Sequence, residues 1–144
     1  MILDAQNLYD QTNQHLTTGA STNIIDHGIA RDLGTGEDIY IVAVVTTAFT
    51  DAGSDSTMTL TLETDNDVAF GSPTTAAQTL GVFAALSAVG TILIAKLQPG
   101  ALNEQYSRVK YTVANGDLTT GKFTVALTKD IQKYVSYARN YTIS

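Results

Sequence analysis

Residues 57–63 read Thr-Met-Thr-Leu-Thr-Leu-Glu, an unbroken alternation that puts Met58, Leu60 and Leu62 on one side of an extended chain and Thr57, Thr59 and Thr61 on the other. A period of two marks a half-buried β-strand, and β-branched Thr suits its solvated face. Working outward, residues 39–45 are almost continuously apolar and follow the turn-forming run Gly34-Thr35-Gly36-Glu37-Asp38. That pattern predicts a central strand covered on both sides. Residues 91–97 set Ile92 and Ile94 against Leu93 and Ala95 until Gln98-Pro99-Gly100 stops them. Residues 106–114 place Val109, Tyr111 and Val113 opposite Arg108, Lys110 and Thr112, and residues 121–129 turn Phe123, Val125 and Leu127 inward. The intervening Asn115-Gly116-Asp117 predicts that these two segments pair as an antiparallel hairpin.

Weaker candidates at 8–16, 22–26 and 74–80 bring the total to about eight short strands at roughly ten-residue spacing, the pattern of an all-β sandwich or barrel. Residues 82–88 offer the one plausible helical turn, without a good cap. At 144 residues the chain has the length of one domain, 1–144, with enough material for a core. Its two ends differ from the middle and read as candidate arms, 1–16 and 131–144. Tyr134, Tyr137 and Tyr141 fall in the last of these together with Lys133 and Arg139. Tyr and Arg carry binding energy at interfaces, so the segment reads either as an arm gripping a neighbour or as a lid packed on its own domain.

Only 15% of residues are charged against 44% hydrophobic, and 22 Thr supply uncharged polar surface. The absence of Cys excludes disulfides, thiol nucleophiles and cysteine-ligated metals. A net charge of −6 argues against nucleic acid as the main partner. The charge is uneven along the chain: through Asp67 there are eleven acidic residues and one basic, Arg31, whereas from Val68 onward there are three acidic and seven basic. Such asymmetry either makes an electrostatically polar molecule that docks on a partner of mixed charge or has no partner behind it. The opening MILDAQNLYDQ lacks the features of a secretory signal, so synthesis and use in a cytoplasm are expected. Residues 80–95 are apolar but too short and too interrupted for a membrane span.

Catalytic motifs are thin. No Gly-x-Ser-x-Gly is present, His15 and His27 lie near Ser21 and Asp26 in sequence without implying geometry, and Gly34-Thr35-Gly36 precedes a strand where a dinucleotide fingerprint would follow one. The group Glu63, Asp65, Asn66, Asp67 has ligands suited to Ca²⁺ but not the spacing of an EF-hand, and reads more simply as an acidic strand-to-loop junction. The expectation is a protein that is not an enzyme and has no cofactor and no metal.

The segment STNIIDHGIARDLGTGEDIYIVAVV (21–45), the opening MILD, DNDVAFGSPTT (65–75) and YTVANGDLTTGKFTVAL (111–127) resemble, in collinear order, the cement or decoration proteins of tailed-phage heads, of the type found on the Bordetella short-tailed phage. His27 stands where that pattern carries an apolar residue. The resemblance implies a jelly-roll-like antiparallel β-sandwich on the outer capsid surface of the virion, riveting neighbouring copies of the major capsid protein. It also implies a homo-oligomer, dimer favoured and trimer possible, with no nucleic acid or membrane partner. A clamp repeated over a shell turns modest contacts into a large total. Candidate contacts are Leu3, Asp4 and Tyr9 on the N-terminal arm and Tyr134, Tyr137, Arg139 and Tyr141 on the C-terminal one. A carbohydrate-binding β-sandwich displayed on the particle is the alternative. It requires a groove with aromatic platforms, and an uncharacterised hydrolase requires a deep pocket with His or paired carboxylates.

Overall fold

The computed structural model describes residues 4–30, 33, 36–72, 74–129 and 131, with only the backbone of 74–77. Its strands are β1 (Leu8–Asn13), β2 (Gly19–Ala20), β3 (Ile25–Asp26), β4 (Tyr40–Thr50), β5 (Thr57–Asp65), β6 (Thr74–Phe83), β7 (Ile92–Lys96), β8 (Tyr106–Ala114) and β9 (Thr120–Thr128). A single 3-10 turn, Ala5–Asn7, is the helical element among the described residues. The strands form two antiparallel sheets, ordered β1-β9-β4-β7 and β2-β8-β5-β6, with β3 also pairing β8. Because β2 and β3 pair with successive stretches of β8, they act as one interrupted strand. The resulting eight-strand order is that of a jelly roll, in which most successive strands change sheet.

The expected alternation holds in β5: Met58, Leu60 and Leu62 are fully buried while their Thr neighbours are half-exposed. β4 lies inside its sheet, between β9 and β7, and sends Ile41, Ala43, Val45 and Phe49 into the core. An aromatic column runs through that core. Phe83, Phe49 and Phe123 meet at ring-centroid distances of 5.5–6.2 Å, Tyr111 lies 4.9 Å from Phe123, and His15 caps the end 4.6 Å from Tyr111. Close packing sets the backbone beside it. Gly121 has φ +152°, and a Cβ there would lie 2.5 Å from Phe49 Cδ1.

Four expectations need correction. β8 and β9 are not a hairpin, because they belong to different sheets. Their link crosses the end of the sandwich, with Asn115 and Gly116 at positive φ and Leu118 buried. Backbone bonds from Leu118 N to Leu16 O and Thr119 N to Thr50 O tie it to other connections. Residues 82–88 form no helix: β6 continues to Phe83, and Ser87 Oγ then donates to Ala84 O to close a turn. Of 22–26 only Ile25–Asp26 is strand, since Ser21 and Asn23 hydrogen-bond each other and β8 or β1 locally. Finally, 8–13 is no free arm, because it is the strand β1 paired with β9, and Leu16 packs against the core.

Candidate functional site

The N-terminal strand contains an irregularity that redirects a carboxylate. Leu8 opposes Ala126 and Asp10 opposes Val125, so Tyr9 is an extra residue in the ladder, a β-bulge. The bulge turns Asp10 toward the interior side of the sheet, where Tyr111 donates its hydroxyl proton to Asp10 Oδ2. His15 Nε2 lies 3.2 Å from the same oxygen, while Asn13 Nδ2 and Thr22 N donate to Oδ1 at 2.7 and 3.0 Å. Burial alone pushes the Asp10 carboxyl up, but the bonds from His15, Tyr111, the Thr22 backbone and Asn13 outweigh it and hold it at about 2. Burial, and then the Asp10 charge, push the Tyr111 phenol up.

A second chain of bonds lies nearby. Tyr9 OH and Ser107 Oγ are 2.7 Å apart, and His27 Nε2 is 2.8 Å from the same serine oxygen. A Ser–His pair at that distance has the spacing of an activated nucleophile, but Ser107 is 0% exposed and shares its hydroxyl with a buried tyrosine. It fastens β1, β3 and β8 together. The sequence neighbours Ser21 and Asp26 do not join it in a triad: Ser21 Oγ donates to Asn23 O, and Asp26 Oδ1 accepts from Gly28 N and Gln105 Nε2.

The acidic junction is used in the same internal way. Asp65 accepts from Asp67 N and Ser72 N, Asp67 accepts from Ala69 N, and Asn66 accepts from Gln105 N. Glu63 pairs with Arg108 at 2.8 Å and Lys110 at 3.6 Å, and the Arg108 guanidinium lies 4.2 Å over the Phe70 ring. No group of three or more potential metal ligands occurs among the described residues. A cleft of about 300 Å³ opens at one end of the sandwich, lined by Leu33, Asp38, Lys96 and Leu102 among others. The Asp38–Lys96 ion pair, 2.8 Å, stands in its wall.

The predicted contact residues separate. Asp4 is exposed and caps the 3-10 turn, accepting from Gln6 N at 3.0 Å. Tyr9 is a core residue, 0% exposed, so its ring is no contact surface; the bulge and Ser107 hold it inside. Leu3, Tyr134, Tyr137, Arg139 and Tyr141 lie outside the described residues. Among described aromatic residues, Tyr40 and Tyr106 are half-buried and the others are buried.

What sequence reasoning left unnamed is the difference between the two outer faces. On the β5 sheet, cross-strand neighbours are mostly polar: Thr59 with Thr112, Thr61 with Lys110 and Thr79, Glu63 with Arg108, with the exposed Val82 beside Thr59 as the apolar exception. On the β4 sheet they are mostly apolar, with a row Leu8–Ala126–Val42–Ile94 beside a row Thr124–Val44–Ile92, before the polar row Thr128–Tyr40–Lys96. The missing alternation of 39–45 was the available signal.

These strands coincide with a known family. The model of the family described as Bbp16 matches residues 11–127, from within β1 to the penultimate residue of β9. The chain belongs to the Bbp16 family. Bbp16 is named like a Bordetella phage protein, which agrees with the phage character expected from sequence. The Bbp16 match spans both sheets and ends before the C-terminal candidate contacts. No curated protein matches the chain.

Proposed function

We propose that this Bbp16-family chain is a structural virion protein that binds the outer surface of a tailed-phage head and cements neighbouring major capsid protein subunits. The observation that carries this reading is the match of a phage-named family over both sheets of a jelly roll. Ser107, His27 and Asp10 support the reading by being engaged in bonds that fasten strands to one another. A cement must keep its shape under load, and a sandwich whose termini-proximal strand is bolted through Asp10 and Ser107 is suited to that. Oligomers on the shell, with dimers favoured, multiply each contact. Asp4 and, beyond the described residues, Leu3, Tyr134, Tyr137, Arg139 and Tyr141 are the proposed contacts.

The test is reconstitution. Heads depleted of this protein and resupplied with it should retain packaged DNA at a temperature at which depleted heads release it. Equal release from both would overturn the cement reading, and glycan arrays would then test the sugar-binding alternative.

A further inference from the structure

The edge of a β-sheet is a row of unpaired backbone groups that accepts another strand, and folded proteins blunt such edges by shortening, bulging or charging them. Three of the four sheet ends are blunted in this way. β1 shifts register twice against β9, β6 does the same against β5, and β2 and β3 are two residues each. β7 differs, because its five residues run against β4 in unbroken register, from Tyr40↔Lys96 to Val44↔Ile92. Its outer side meets no strand among the described residues.

The alternation of an antiparallel ladder fixes which backbone groups are left over. Leu97 N donates to Ile39 O and Val45 N to Thr91 O. Residues 91, 93, 95 and 97 therefore turn their N–H and C=O groups to β4, and Ile92, Ile94 and Lys96 turn theirs outward. The outward row is closed at both ends. At one, the Gln78 side chain from β6 stands in for a strand, with Nε2 donating to Lys96 O at 2.7 Å and Oε1 accepting from Gln98 N at 2.8 Å. At the other, Gly90 N donates to Val45 O and Thr91 N to Ala88 O, folding the chain into a turn. Between these closures the N–H and C=O of Ile92 and Ile94 have no hydrogen-bond partner among the described residues.

We propose that this open stretch pairs with the same stretch of a second copy of the chain, antiparallel about a two-fold axis at Leu93. In that register Ile92 of each copy exchanges both its backbone bonds with Ile94 of the other, so the edge is self-complementary. The four-stranded sheets of the two copies become continuous. Charge argues for a copy of this chain as the occupant. Two chains of net charge −6 repel, but residues 68–95 hold no charged side chain, so here the copies meet without bringing like charges together. Apolar surface points the same way: Leu86, Val89 and Ile92, in and just before the start of β7, are 51%, 64% and 43% exposed. Across the junction Ile92 stands opposite Ile94, a β-branched pair that covers the exposed isoleucine. This pairing is a property of the free chain and stands whether or not the chain cements a head.

The test follows the amides of Ile92 and Ile94 in the full-length protein. In concentrated protein, sedimenting as two chains, both should resist hydrogen exchange as Leu93 and Ala95 do, whose N–H groups β4 holds. Where dilution gives one chain, Ile92 and Ile94 should lose that protection while Leu93 and Ala95 keep theirs. Ile94→Pro removes an outward N–H that β4 does not use, and should sediment as one folded chain where the native protein sediments as two. A native protein that sediments as one chain at every concentration overturns the proposal. Two native chains whose Ile92 and Ile94 amides exchange freely, or a paired Ile94→Pro protein, would put the contact on another surface and overturn it equally.

Discussion

Asp10 shows how one inserted residue changes what a side chain does. Without Tyr9 as a bulge the carboxylate would face away from Tyr111; with it, Asp10 anchors the start of the chain to β8. Its folded pKa of about 2 lies below the roughly 3.9 of an unfolded aspartate. The stabilisation is therefore complete above about pH 4 and is lost as pH falls toward 2. After a discount for solvent screening it amounts to about 1–2 kcal/mol. Urea unfolding from pH 6 to pH 2 should show that loss in the native chain. Asp10→Asn should begin less stable at pH 6 and lack this part of the decline; equal stability at pH 6 would contradict the assignment. Gly121 is a packing constraint of another kind. Gly121→Ala forces a methyl against Phe49 at a backbone angle few L-residues adopt and should cost about 1–3 kcal/mol in thermal unfolding. None of this was legible in the sequence. Asp10, His15 and Tyr111 are ordinary residues there, and nothing in Leu8–Asn13 announces that its pairing with β9 shifts register twice.

At the scale of elements, side-chain periodicity was the readable part. The Thr57–Glu63 alternation and the inward sets Val109–Tyr111 and Phe123–Val125 appear as expected, because a period of two reports directly on which face is dry. Pairing was less readable. Asn115-Gly116-Asp117 is good hairpin chemistry, but Leu118 is drawn into the core and the chain crosses to the other sheet. Turn residues report local backbone angles, whereas the choice of sheet depends on distant strands. The continuously apolar 39–45 stretch signalled cover on both sides, and the outer-face rows of the β4 sheet are its outcome. The two outer faces should therefore respond differently to charge. Val42→Lys should destabilise by about 2 kcal/mol or more, since it buries an unpaired ammonium. Thr59→Lys on the other sheet should stay within about 0.5 kcal/mol. Similar melting temperatures for the two variants would show that the β4 face is as wet as the β5 face.

Across the whole molecule, the charge asymmetry of the two chain halves is met in part by ion pairs within the molecule. Lys96 pairs with Asp38, Arg108 and Lys110 with Glu63, and Lys129 with Glu37, so basic residues of the second half meet acids of the first. The jelly roll interleaves the halves, setting β9 and β7 against β4 and β8 against β5. A sequence read in order cannot show that interleaving, which is why the asymmetry suggested an external partner. The phage character of the family was legible from collinear segments spread over both sheets, while the C-terminal candidate contacts lie outside the described residues. The proposed cement role makes a quantitative demand. Purified protein co-sedimented with its parent phage's heads, stripped of it and prepared both expanded and unexpanded, should saturate on at least one form at a fixed number of copies per capsid subunit. Absence of saturable binding to either form would contradict the role.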